Sequence, residues 1–184
     1  ADGTLIQGFT ISGGESARQG AGILVDEAAD VEIVDCVFED NNGTGSLAKG
    51  GGLAALTSEG LIVSGSQFLA NHADGGGGGL AILGDSHDAT VTGNTFDGNT
   101  SGKDGGGLLV ENSDDLTLDG NTFEDNEAET SEGWGGGAAM EHAEAPILSD
   151  NQFLTNVAYA GGGLSWVTSS DFEDTDSVFV GNLA

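Results

Sequence analysis

Basic residues are almost missing from this 184-residue chain: three Lys plus Arg stand against 31 Asp plus Glu, for a formal charge of −28. A surface that negative repels phosphate backbones and anionic headgroups, which argues against nucleic acid and lipid surfaces as partners. Cysteine and proline occur once each. A lone thiol gives no disulfide framework, and a single proline without a G-x-y period excludes collagen. No apolar run approaches the roughly 18 residues of a membrane span. No basic-then-apolar leader opens the sequence, so any export signal is expected to be removed or to lie outside it. What the chain has in excess is glycine, 34 residues, more than twice the usual share.

The glycines fall in a repeat. Clusters followed by apolar residues begin at Gly20, Gly50, Gly77, Gly105, Gly135 and Gly161, spaced 30, 27, 28, 30 and 26 residues apart. Each is followed by F-x-x-N: Phe38/Asn41, Phe68/Asn71, Phe96/Asn99, Phe123/Asn126, Phe153/Asn156 and Phe179/Asn182. From cluster to phenylalanine the distance is 18 residues in five units and 19 between Gly77 and Phe96. From asparagine to the next cluster the intervening residues number 8, 5, 5, 8 and 4. Each unit is thus a fixed arm plus a loop of variable length, and loops tolerate change and carry binding.

Inside the fixed arm, apolar residues alternate with period two, the mark of strands. Ile23 and Val25, Leu80 and Ile82, and Leu108 and Val110 follow the glycines; Val31 and Ile33, Ala89 and Val91, and Leu116 and Leu118 precede the phenylalanines. Pairs such as Gly93-Asn94, Gly120-Asn121 and Asp150-Asn151 supply the sharp turn between strands. Because every unit runs in the same order, hairpins are excluded. The pattern predicts an all-β parallel solenoid with three strands per coil and about six to seven coils, rungs about 4.8 Å apart. The six phenylalanines then form an inner stack and the six asparagines a side-chain ladder.

GGGLLV followed by LTLDGNTFEDN resembles the right-handed parallel β-helix repeats of the polymorphic outer-membrane protein type, marked by GG-A/L/I and F-x-x-N. The opening segment GTLIQGFTISGG is similar to the first coil of pectate-lyase-like proteins. The resemblance covers nearly the whole chain. It implies one β-helix domain over residues 1–184, expected to be a segment of a longer surface protein. It also implies right-handed winding and an exported or extracellular location, shared with adhesins, autotransporter passengers and surface fibres. Phe9 departs from the pattern in lacking its asparagine, and Glu173 and Asp174 stand where a strand residue should be apolar.

Acidic residues gather at the turn between the two longer strands, among them Asp85, Asp88, Asp114 and Asp115. Carboxylates one rung apart repel, and calcium with its six to eight oxygen ligands would relieve them, making a calcium-stabilised surface fibre one reading. A solvated acidic ridge is the other. His72, His87 and His142 have no metal-ligand spacing. Cys36 occupies the turn position held elsewhere by Asn94, Asn121 and Asn151 and is expected to be buried. Lyase chemistry needs a base, yet Arg18, Lys49 and Lys103 lie on separate loops, so no catalytic residue is assigned and a non-enzymatic role is expected.

Two surfaces remain as contact candidates. Leu24, Ala54, Ala81, Leu109, Ala139 and Ser165 alternate outward as an apolar column, which either meets a partner or lies under a folded-back loop. The longest loops are 42–49 and 127–134, the second ending in Trp134, an aromatic suited to partner contact. The expected role is a rigid structural or adhesive segment meeting a surface protein, a glycan or copies of itself. The alternative is a carbohydrate-binding or carbohydrate-active β-helix using Trp134, Tyr159 or Trp166 with nearby carboxylates.

Overall fold

The computed structural model of the chain describes residues 3–129 and 132–184, so part of the 127–134 loop lies outside the described residues. One coil shows the plan: strands Thr90–Thr92, Thr95–Asp97, Thr100–Ser101 and Leu108–Glu111 in succession. Each pairs in parallel with its counterpart one coil above and below, giving four parallel sheets of seven, seven, five and six strands. Phe96 pairs with Phe68 and Phe123, and Leu108 with Leu80 and Ala138, as the repeat alignment requires. The described residues contain no helix.

The fourth, two-residue strand adds to the three expected. It begins immediately after the ladder asparagine, at His72–Ala73, Thr100–Ser101 and Glu127–Ala128. Two residues of each loop still stack in register there, before differing lengths separate the loops.

The interior follows from the alternation. Phe38, Phe68, Phe96, Phe123 and Phe153 are fully buried, and their rings stack at 4.6–4.8 Å between centroids, with planes within 7°. Around them pack Ile33, Leu53, Val63, Leu80, Ile82, Leu108 and Leu118. The asparagine ladder closes the polar account. Asn126 Nδ2 donates to Asn156 Oδ1 and to the Phe96 carbonyl, each at 2.9 Å, while its own Oδ1 accepts from the Asn99 backbone N–H and side-chain amide at 3.0 and 2.9 Å. All four hydrogen-bonding positions of the amide are used, and no buried side-chain polar atom among the described residues lacks a partner. Asn71 and Asn99 repeat the arrangement, each donating to the next asparagine at 3.0 and 2.9 Å.

All six phenylalanines stack and all six asparagines are linked, but the first and sixth rungs are held differently from the inner four. Asn41 donates to Asn71 Oδ1 at 2.9 Å and to the Ile11 carbonyl at 3.0 Å, but no asparagine amide donates to it from the preceding coil. That coil places Ile11 opposite Phe38, so Gly14 falls at the ladder position, and its backbone N–H donates to Asn41 Oδ1 at 2.9 Å. Asn41 is therefore buried and satisfied as a terminal rung held by main chain, and Phe9, outside the strands, is exposed. In the sixth rung Asn182 accepts from Asn156 and donates to the Phe153 carbonyl; Asn182 is half-buried and Phe179 exposed, and the Phe179 ring stacks on Phe153.

A second ladder runs at the other corner. Asn94 donates to Asn121, and Asn121 to Asn151, at 3.0 and 3.1 Å. Ser66 and Cys36 extend it: Ser66 Oγ accepts from the Cys36 backbone N–H at 3.0 Å. Cys36 is buried, as its turn position implied. A third column, Ser58, Ser86 and Ser113, stacks at the acidic turn, with Ser58 N–H donating to Ser86 Oγ at 2.9 Å.

Corners are made by single left-handed residues. Gly105 turns with φ of 64°, and a Cβ on Gly107 would stand 2.6 Å from the Gly137 carbonyl and 3.0 Å from the Phe123 ring. The cluster therefore excludes side chains for two reasons, backbone angle at its start and close approach at its end. The extra residue between Gly77 and Phe96 is absorbed at one corner, where Gly84 and Asp85 both adopt positive φ.

Candidate functional site

The loops between ladder asparagine and glycine cluster fold back over the outward face of the glycine-led sheet. Ala54 and Ala81 are fully buried, and Leu109 is 2% exposed beneath the loop that carries Gly76. Leu109 is therefore not a free contact residue; it belongs to a small cluster with Ala81, Leu83 and Ala139. Leu24, one coil beyond the cover, is exposed.

Where the loops of three successive coils meet, they frame an open cleft of about 480 Å³ lined by Asp104, Glu132, Trp134, Glu141, Tyr159 and Val167. Its walls are tied at defined points. Asp104 Oδ1 accepts from the Trp134 backbone N–H at 2.8 Å, which pins one loop to the next. Tyr159 N–H donates to the Gly133 carbonyl at 3.0 Å, and Trp134 pairs with Ala160 across the following coil. Glu141 and Val167 rise from the sheet as the floor, in register with each other. Tyr159 is largely exposed and Trp134 half-buried.

The electrostatics of this cleft are unbalanced. Glu141 shares the cleft with Asp104, and Glu111 is its register neighbour one rung away. Burial first, then the Asp104 and Glu111 charges, push the Glu141 carboxyl above the usual glutamate range; Lys49 opposes them weakly. Lys49 is itself ion-paired with Glu111.

Trp166 does not join Trp134 and Tyr159. It occupies the inward column in register with Met140 and stacks on Phe172 at 4.7 Å. The four acidic turn residues play different parts. Asp85, Asp88 and Asp115 are left-handed corner residues with φ of 47°, 57° and 56°. Asp114 accepts from the Glu144 backbone N–H at 2.9 Å and lies 3.6 Å from His87 Nδ1. Among the described residues, no three His, Cys, Asp or Glu side chains group as a metal ion would need.

One polar chain has no motif in the sequence. Thr100 Oγ1, His72 Nδ1, His72 Nε2 and Asp74 Oδ1 are linked at 2.8 and 2.9 Å, and the other Asp74 oxygen accepts from the Gly45 N–H. That backbone bond and the imidazole hold the Asp74 carboxyl below its usual range. The chain fastens the 42–49 loop to the next two coils. Thr100 and His72 sit in register, a signal available only once the short fourth strand is known.

In-register coils, parallel sheets and amide ladders define a parallel β-solenoid. The chain belongs to the family described as Right handed beta helix region, whose model matches residues 1–183. No curated protein matches the chain. No solved structure does either.

Proposed function

We propose that the chain is a rigid, non-enzymatic scaffold segment of an exported cell-surface or extracellular protein, presenting a loop-built cleft for contact with a partner. The observation that carries this is the division of labour within each coil. The interior repeats the same satisfied rung, while length and composition vary in the loops, and three of those loops converge on Trp134 and Tyr159. Aromatic side chains at such a convergence offer large contact area at low entropy cost. The resemblance of the GGG-L and F-x-x-N repeats to polymorphic outer-membrane proteins supports the surface location. An exterior of net charge −28 stays hydrated in saline surroundings.

Carbohydrate binding is the second reading, favoured by two aromatic rings beside carboxylates in one cleft. Acidic glycans would be repelled by that lining, so neutral saccharides are the ones to test. Surface labelling of intact cells carrying the full-length protein, with and without permeabilisation, tests the first reading. Labelling without permeabilisation is expected; labelling that requires it would contradict the proposal. Binding on a glycan array by the unmodified chain, abolished in Trp134→Ala, would favour the second.

A further inference from the structure

Three carboxylates, Asp104, Glu132 and Glu141, and two aromatic rings, Trp134 and Tyr159, line the same cleft. The nearby cation, Lys49, is occupied by Glu111. Lys103, next to Asp104 in the chain, is exposed and forms no ion pair among the described residues. The cleft is therefore rich in negative charge and π-faces and poor in positive charge. Burial and the Asp104 and Glu111 charges push the Glu141 carboxyl above its usual range. An anionic ligand would add to the repulsion, and a neutral one would leave it in place. An organic cation removes it, and its head group is attracted to the ring faces of tryptophan and tyrosine as well as to carboxylates.

We propose that the cleft of Trp134, Tyr159, Asp104 and Glu141 binds an organic cation, an alkylammonium or guanidinium head group. The inference rests on reading this cleft as the scaffold's contact site, and it specifies the chemistry of what is contacted. Such a head group comes either from a free amine or from a Lys or Arg side chain of a partner protein. A bare metal ion is not implied, since the lining includes two aromatic rings and no three-ligand cluster is present among the described residues. Asp104 has a double part: one oxygen fixes the Trp134 backbone and the carboxylate charge faces Glu141.

Fluorescence titration tests this, using a Trp166→Phe variant in which Trp134 is the sole tryptophan. Three probes are compared at fixed ionic strength: choline, its uncharged isostere 3,3-dimethyl-1-butanol, and an N-acetylated tripeptide with central Lys or Arg. Saturable quenching or enhancement by choline or the tripeptide, with no response to the alcohol, is the expected result. The better of the two cations identifies the source. Asp104→Asn keeps the Oδ1 acceptor for Trp134 and, like Glu141→Gln, is expected to weaken binding at least tenfold. The same titration followed by the indole N–H shift of Trp134 in the unmodified chain guards against an effect of the Trp166 change. No saturation by either cation, an equal response to the alcohol, or tighter binding of a neutral oligosaccharide would overturn the proposal. Surface labelling is independent of this outcome, so failure of the ligand chemistry and failure of the scaffold reading are told apart.

Discussion

Eighteen non-glycine residues among those described hold a left-handed φ between 47° and 59°, and ten of them are aspartates. Aspartate and asparagine tolerate that region better than other side chains with a Cβ, so part of this chain's acidity is a by-product of its corners. It follows that Asp115→Gly leaves stability within about 0.5 kcal/mol of the parent, whereas Asp115→Val costs about 1–2 kcal/mol, read from urea unfolding midpoints. The ladder predicts a larger loss. Asn99→Ala strips partners from the Phe68 carbonyl and from the Asn71 amide, both buried, and should cost on the order of 3 kcal/mol or more by the same measurement. Glu141 works in the opposite direction. Its carboxyl binds protons more tightly folded than unfolded, so its favourable contribution exists at low pH and is lost as pH rises through the raised folded value. Glu141→Gln should therefore raise Tm at pH 7, with the gain shrinking as pH falls towards the ordinary glutamate range. A gain that persists unchanged in acid would contradict the assignment.

At the scale of strands and loops, legibility tracked regularity. The phenylalanine stack and the asparagine ladder recur at every inner coil, so spacing alone placed them. Their ends were less legible: Asn41 rests on the Gly14 main chain, because the opening coil carries Ile11 and Gly14 where later coils carry phenylalanine and asparagine. The second ladder was read only as a row of turns, because Cys36, Ser66 and Ser177 interrupt its asparagines. Hydroxyl groups substitute there for amide oxygens, as the Ser177 Oγ accepting from Asn151 N–H at 3.3 Å illustrates. The cover over Leu109 was legible only as one of two readings, because the covering loops differ in length from coil to coil and no periodic signal says where a loop folds. Likewise the cleft joins Asp104, Trp134 and Tyr159 from three loops with no common motif; sequence offered Trp134 as a loop end and Tyr159 as a bare aromatic. Stacked elements also set the penalty for core changes. Phe96→Ala, in the middle of the stack, should cost about 3–5 kcal/mol, while Phe179→Ala, at a residue 45% exposed, should cost clearly less.

Over the whole molecule, net charge is the dominant unspent term. Asp97 and Glu124 are register neighbours, as are Glu111 and Glu141, and carboxylate rungs of this kind repel along the solenoid axis. Ion screening relieves them at any position, so Tm should rise steadily between low salt and about 1 M sodium chloride. Calcium should add little beyond its ionic strength, because no three carboxylates group as an ion would need among the described residues and Asp114 is engaged by Glu144 and His87. Equal Tm in chelator and in millimolar calcium at fixed ionic strength is the expected outcome. A specific rise with calcium would restore the ion site at Asp85, Asp88, Asp114 and Asp115.

All of these expectations require coils that lie directly over one another, and nuclear Overhauser contacts between coils measure that without intermediaries. Cross-coil contacts are expected to pair Thr95 with Thr122 and Phe96 with Phe123, with slow exchange of the Thr122 amide that donates to the Asn94 carbonyl. Contacts displaced by one residue, such as Thr95 with Phe123, or the close Hα–Hα pairs of antiparallel strands, would contradict that pairing.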